Sequence, residues 1–96
     1  MWKLAGVTFE DRQSILGNIV KKIGNEIICD LVDTIYNGEP AIKVLERSSK
    51  MQIGWISRQN IKELYNKNIE KIYGEIGYYK ETYFVRLYEP VRKAVI

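Results

Sequence analysis

A mainly β domain of the α+β class is the expectation here: a small twisted barrel or closed sheet of about six short strands with two short helices. Three observations predict it. Six runs rich in β-branched and aromatic residues recur between turn signals. Two other stretches place apolar residues at helical spacing. The 96 residues, 46% apolar and 28% charged, suit one compact soluble domain with a single core, and there is no internal repeat, low-complexity stretch or linker.

The elements follow in order. Trp2 to Val7 reads as a short strand ending at Gly6. In "TFEDRQSILGNIVKKIG", Ile15, Leu16, Ile19, Val20 and Ile23 make one helical stripe. Thr8 followed by Asp11 resembles a cap, with the acid near the positive helix end, and Gly24 is a stop. Gly17 weakens the middle of this helix. "NEIICDLVDT" is a strand with Ile27, Cys29 and Leu31 on its apolar face, and Ile28, Asp30 and Val32 on the other. "IYNGEP" is the clearest loop. "AIKVLER" is a third strand, "SSK" a turn and "MQIGWI" a fourth strand, with Gly54 marking a bulge that re-aims Trp55. Ser57 caps a helix running to about Lys67, its apolar side being Ile61, Leu64 and Tyr65. "IEKIYGEIGYY" and "TYFVRLYE" are the last two strands, and "PVRKAVI" leaves the sheet at Pro90.

Composition narrows the chemistry. Histidine is absent, which removes the commonest general base and metal ligand. A single cysteine, Cys29, forms no internal disulfide and points to a reducing, cytoplasmic setting. With one Cys and no His a structural zinc site is not expected, and Asp30 and Asp33 sit too close along one strand to read as a metal pair. No metal or other cofactor is expected. No apolar run reaches the roughly 20 residues of a membrane span, and acidic residues come too early in the first residues for a signal peptide, so no membrane role is expected. The net charge of +3 and pI near 9 permit an anionic partner without requiring one.

Three blocks, "GVTFEDRQ", "AIKV" and "QIGWISRQ", resemble in order and spacing the HIRAN domain of the standalone bacterial or phage type. That family has a "GVTF-x-x-RQ"-like start, an "N-P-Y-D-x-N-A-I-x-V"-like middle and an "IG-aromatic-I-P/S-R/K" segment leading into a helix. The resemblance runs from about Leu4 to Glu89, so the chain reads as one domain over 1–96 with a tail at 90–96. It implies an OB-like antiparallel barrel. It also implies a module for single-stranded DNA or DNA 3′ ends, with a helicase or nuclease as a further partner and DNA repair as the setting.

Each residue singled out has a binding reading and a plain one. Phe9 matches the family aromatic that faces the terminal base; it would equally serve as a hydrophobic staple. Thr8 stands where some DNA-binding members carry a basic residue, and a cap role suits it better. Tyr36, in the loop, can stack on a base or pack the turn. Asn37 aligns with the family Asp that receives the 3′ hydroxyl, keeping an acceptor oxygen but no charge. Glu39 takes that place if Gly38 shifts the loop, and Pro40 stands where the family has Asn. Trp55 matches an aromatic position near the backbone. Met51, Ile53 and Ile56 already supply core on both sides of its strand, so a partly exposed indole is expected. Arg58 matches a basic position in the first turn of the second helix, where backbone N–H groups and a guanidinium attract phosphate. Arg12, beside Gln13, either faces phosphate or pairs with Glu10 or Asp11, the second being the safer reading. Of Tyr83 and Phe84, on opposite faces of the last strand, one enters the barrel and the other offers a further stacking surface.

The first function expected is therefore a non-catalytic DNA-binding module. The alternative is a protein-interaction or self-assembly module using the same groove for a peptide or partner chain. With no Gly-rich phosphate loop and no nucleophile beside a base, an enzyme is not expected.

Overall fold

The computed structural model describes residues 2–9, 11–67 and 71–88, and the side chains of all of these except 65–67. The Tyr65 side chain, the Glu10 ion pair and the tail at 90–96 lie outside the described residues. The elements are β1 (Trp2–Lys3), α1 (Arg12–Ile23), β2 (Glu26–Tyr36), β3 (Glu39–Glu46), β4 (Gln52–Trp55), α2 (Arg58–Lys67), β5 (Lys71–Tyr79) and β6 (Thr82–Tyr88). The six strands form one antiparallel sheet in the order β1-β6-β5-β2-β3-β4.

The sheet curls until its outer strands meet. Past β1, Ala5 exchanges both backbone hydrogen bonds with Trp55 at the end of β4, each 2.9 Å long. A curled half-barrel closed at one bridge is the mainly β, OB-like fold expected from the sequence. Alternation does most of the sorting. Trp2 and Leu4, Ile27 and Cys29, Ile42 and Val44, Ile72 and Ile76, and Val85 and Leu87 face inward and are buried. Leu16 and Ile19 from α1 and Leu64 from α2 complete the core. Ile15, Val20 and Ile61 pack at its edge, while Ile23, at the helix end, is exposed.

The hairpin between β2 and β3 is tighter than the sequence reading. Both strands run to a two-residue turn, Asn37–Gly38, with φ of +52° and +78°. Positive φ at both positions marks the turn type whose twist matches paired strands, and Asn-Gly is its favoured sequence. Tyr36 is therefore the last residue of a strand, paired with Glu39, and not a loop residue.

The start of α1 also differs. The helix begins at Arg12 after Asp11, and no side chain caps it. Thr8 lies too far upstream to cap and is exposed in the preceding turn. Two side chains anchor the connection from β1 to α1 instead. Arg12 is buried and its Nη1 donates to the Gly6 carbonyl at 2.7 Å. Gln13 donates from Nε2 to the carbonyls of Val7 and Tyr83, both at 2.9 Å, and its Oε1 accepts from the Tyr83 N–H at 2.8 Å. One amide thus stands in for a strand partner where β1 has departed from β6.

A second buried polar group sits in the turn after β3. Glu46 is buried, and its carboxylate accepts from the Ser48 N–H at 2.7 Å, the Ser49 N–H at 2.9 Å and the Ser48 hydroxyl. Burial opposes its charge, but these hydrogen bonds outweigh that and hold its carboxyl below the usual range. Cys29 is pushed up to about 12 by burial first and by the carboxylates of Glu46 and Asp30 next, so its thiol stays protonated. Asp30 points outward and is bridged to Arg47 at 2.6 Å.

Candidate nucleic-acid interface

The bulge in β4 decides where the indole goes. Lys43 pairs with Trp55 and Val44 with Gly54, but Leu45 pairs with Gln52, so Ile53 is an extra residue on β4. Ile53 and Gly54 are both buried. In a regular strand Trp55 would share the inward face of Ile53. The extra residue reverses the parity and turns Trp55 outward, onto the face of Lys43 and Ala5. Ile56 then points back inward and is buried. Met51, expected in the core, lies before the bulge and is exposed.

Outward placement puts Trp55 in a groove of about 400 Å³. Its lining includes Phe9, Tyr36, Trp55, Arg12, Glu39 and Arg58, two from each of three separate stretches of the chain. Tyr36 and Trp55 meet with ring centroids 5.3 Å apart and planes tilted by 51°. Ala41, small and on the same face of β3, leaves room between them. Phe9 and Tyr36 are 67% and 59% exposed, whereas Trp55 is half-buried as expected. The two exposed rings thus flank an indole fixed by packing. Gly6 is the tight point: a Cβ there would lie 3.1 Å from both Trp55 Cδ1 and Arg12 Nη1, and its φ of +71° disfavours any side chain.

Charge in the groove is arranged at its mouth. Arg58 is the first residue of α2, 82% exposed at its side chain, and is paired with Glu39. Ser57 precedes it at the cap position, with its hydroxyl donating to Asn60 Oδ1 at 2.6 Å and its carbonyl accepting from the Asn60 N–H. Arg12 sits at the floor, already spent on the Gly6 carbonyl. Neither of its expected roles is what the fold gives it: burial removes it from any surface pair with Asp11, and its donor holds backbone.

Four expected residues fall elsewhere. Thr8 and Asn37 do not line the groove; Asn37 is in the hairpin turn, and Glu39 is the acidic residue that reaches the cavity. Tyr83 faces inward, partly buried on the core, beside Gly17 of α1 and 4.7 Å from the Tyr78 ring. Phe84 faces outward on β6 in a different cavity. Gln13, noted from sequence only as part of the "RQ" pair, was missed as the bond that joins α1 to β6; a half-buried amide satisfying three backbone groups leaves no periodic mark.

Among the described residues no group of three His, Cys, Asp or Glu stands close enough to hold a metal. No helix among them is long and apolar enough to cross a membrane. No protein-family model, curated protein or solved structure matches the chain. The groove therefore has to be read from its own geometry.

Proposed function

We propose that this groove binds single-stranded DNA at or near a 3′ end, without catalysis. The observation that carries the reading is the convergence of two exposed rings and a braced indole beside an arginine at a helix start. Stacking on such rings tolerates any base and is worth about 1–3 kcal/mol per base. A guanidinium beside unsatisfied helix N–H groups suits a phosphate. The resemblance to HIRAN domains supports the same reading through the three sequence blocks, two of which supply Phe9, Trp55 and Arg58.

The test is a tryptophan-fluorescence titration with short oligonucleotides. Trp2 is buried with its Nε1 bonded to Glu63 at 3.1 Å, so its emission is a constant background. Trp55→Ala is expected to weaken binding about tenfold or more, the loss of one stacking partner. Arg58→Ala is expected to lower the slope of log affinity against log salt by about 0.7, one phosphate contact on a single strand. Wild-type protein that binds no oligonucleotide at low salt would end this reading and turn attention to a peptide in the same groove.

Glu39 supplies the selectivity. It is the acidic residue in the groove lining, and it would repel a terminal phosphate while accepting a hydrogen bond from a terminal hydroxyl. Glu39→Gln is expected to tighten binding of a 3′-phosphate oligonucleotide by about tenfold, leaving the 3′-hydroxyl form within about twofold. Equal gains for both ends would show that Glu39 acts only by occupying Arg58.

A further inference from the structure

The groove does not end at Ala5. Cross-strand partners share a face of a sheet. Trp55 is paired with Ala5, so both face outward, and Lys3, two residues earlier, faces outward with them. Lys3 is paired with Arg86 on β6. The next contact of that ladder, the Leu4 N–H to the Val85 carbonyl at 2.9 Å, brings Phe84 level with Ala5. Trp55 and Phe84 thus flank the same stretch of chain on the same outer face, two strand spacings or roughly 10 Å apart.

What lies there is built like the groove. Lys3, Tyr78, Tyr79, Thr82, Phe84 and Arg86 line a second open cavity of about 580 Å³. Phe84 is paired with Gly77 and its ring occupies the space a Cβ on that glycine would need. The ring therefore lies on bare backbone with its other side outward. The Arg86 guanidinium is 5.1 Å from its centroid, and Lys80 Nζ is 5.4 Å from the centroid of Tyr79. Among the described residues Lys3, Lys80 and Arg86 form no ion pair. Glu75, opposite Arg86, Glu26, paired with Glu75 from β2, and Glu81, in the hairpin turn, are acids nearby; among the described residues none of them lines the cavity, whereas Lys3 and Arg86 do.

We propose that Phe84, Arg86 and Lys3 form a second stacking and phosphate station, on which a single DNA strand continues after leaving the groove. This rests on the DNA-binding reading of the groove and extends it. Charge selects the occupant: rings with unspent cations beside them suit an alternating chain of bases and phosphates. A path that crosses β1 requires more nucleotides than the groove alone can hold, so affinity should grow with length.

The test compares 5′-labelled deoxythymidine oligonucleotides of two and of eight nucleotides by fluorescence anisotropy over a salt series. In the wild-type protein the octanucleotide is expected to bind at least about tenfold more tightly than the dinucleotide, the gain from one further stacked base and its phosphates. Phe84→Ala should remove most of that gain. Arg86→Gln and Lys3→Gln, both at exposed positions, should each lower the octanucleotide salt slope by about 0.7. All three should leave dinucleotide affinity at the wild-type value. Because the two charge variants touch no core residue, they decide the matter even where Phe84→Ala folds poorly. Wild-type octanucleotide affinity and slope in all three variants would overturn the second station while leaving the groove intact. Loss of octanucleotide binding in Trp55→Ala is the mark of the groove itself; no such loss, or no binding at either length, would remove the groove reading and the continued path with it.

Discussion

Gly54→Ala is expected to destabilise the domain by about 3 kcal/mol, at the upper end of what an overpacked core position usually costs. For a chain of this size that is a fall in melting temperature of about 15 °C. The reason is at the barrel closure. A Cβ on Gly54 would lie 2.6 Å from the Ala5 carbonyl oxygen and 2.6 Å from Leu4 Cγ. The first of these is backbone, held by the two hydrogen bonds between Ala5 and Trp55, so it cannot rotate away. Relief requires β1 and β4 to part, which opens the barrel and releases the indole. Thermal unfolding by circular dichroism checks the first consequence, and the Trp55 emission maximum the second. Gly38→Ala is the comparison: nothing lies within 4 Å of its Cβ, yet its φ is +78°. It should cost about 1 kcal/mol, the conformational part alone. If Gly54→Ala cost no more than Gly38→Ala, the closing bridge would be loose and Trp55 would lack its brace.

That bridge shows why some of this molecule was legible from sequence and some was not. The alternation of Ile27 with Cys29, and the turn in Asn37–Gly38, are local patterns with local causes, and they gave the strands and the class. Gly54 was legible too, since a glycine inside a strand run marks a bulge or a close approach, and here it is both. The partly exposed Trp55 was expected for a reason that holds only in part: Ile53 and Ile56 are core, but Met51 is exposed, and it is the bulge that turns the indole outward. Arg12 misled because charge is a surface property by default; its burial depends on a carbonyl that Gly6 exposes only once the chain has turned. Thr8 misled because the helix starts only at Arg12, with Asp11 at the cap position, which leaves Thr8 too far upstream to reach it. Tyr83 and Phe84 were placed on opposite faces correctly, but which face is the core depends on where β6 sits in the sheet. Strand order is set by pairings across most of the chain length, as with Trp2 and Leu87, and no short motif encodes it.

The same long-range closure explains why the groove gathers residues from such distant places. Phe9 follows β1, Tyr36 ends β2, Glu39 opens β3, Trp55 ends β4 and Arg58 opens α2. Tyr36, Glu39, Trp55 and Arg58 are each at an element end, and Phe9 lies in the connection from β1 to α1. Once the two outer strands meet, those ends come to one side of the barrel, and whatever the ends carry is presented together. A scaffold that supplies position while the ends supply chemistry is how many small folds host binding sites. It follows that variants at the closure should affect stability and ligand binding together, whereas Tyr36 and Arg58 variants should affect binding alone.

Gln13 is the second long-range joint of the fold, tying α1 to β6. Gln13→Ala is expected to destabilise by about 2–4 kcal/mol, with a melting temperature about 10–20 °C lower. Its amide meets the N–H and carbonyl of Tyr83 and the carbonyl of Val7, all at 2.8–2.9 Å and partly buried. Truncation leaves three backbone groups to find water or go without, and each unsatisfied buried group costs about 1–3 kcal/mol, reduced here because Gln13 is only half-buried. Gln13→Glu separates shape from donation. It keeps the acceptor for the Tyr83 N–H but turns a carboxylate toward two carbonyls, so only its protonated form can donate to one of them. The folded state then favours the protonated acid, raising its folded pKa above the unfolded value near 4.3. The sign follows: the variant should lie closest to wild type below about pH 4 and fall away from it as pH rises through the raised folded value. Urea melts of the two proteins from acid to neutral pH measure this difference directly. A constant gap across that range would mean the side chain at this position fills space without donating, and the link between α1 and β6 would have to be sought in the packing of Tyr83 against Gly17.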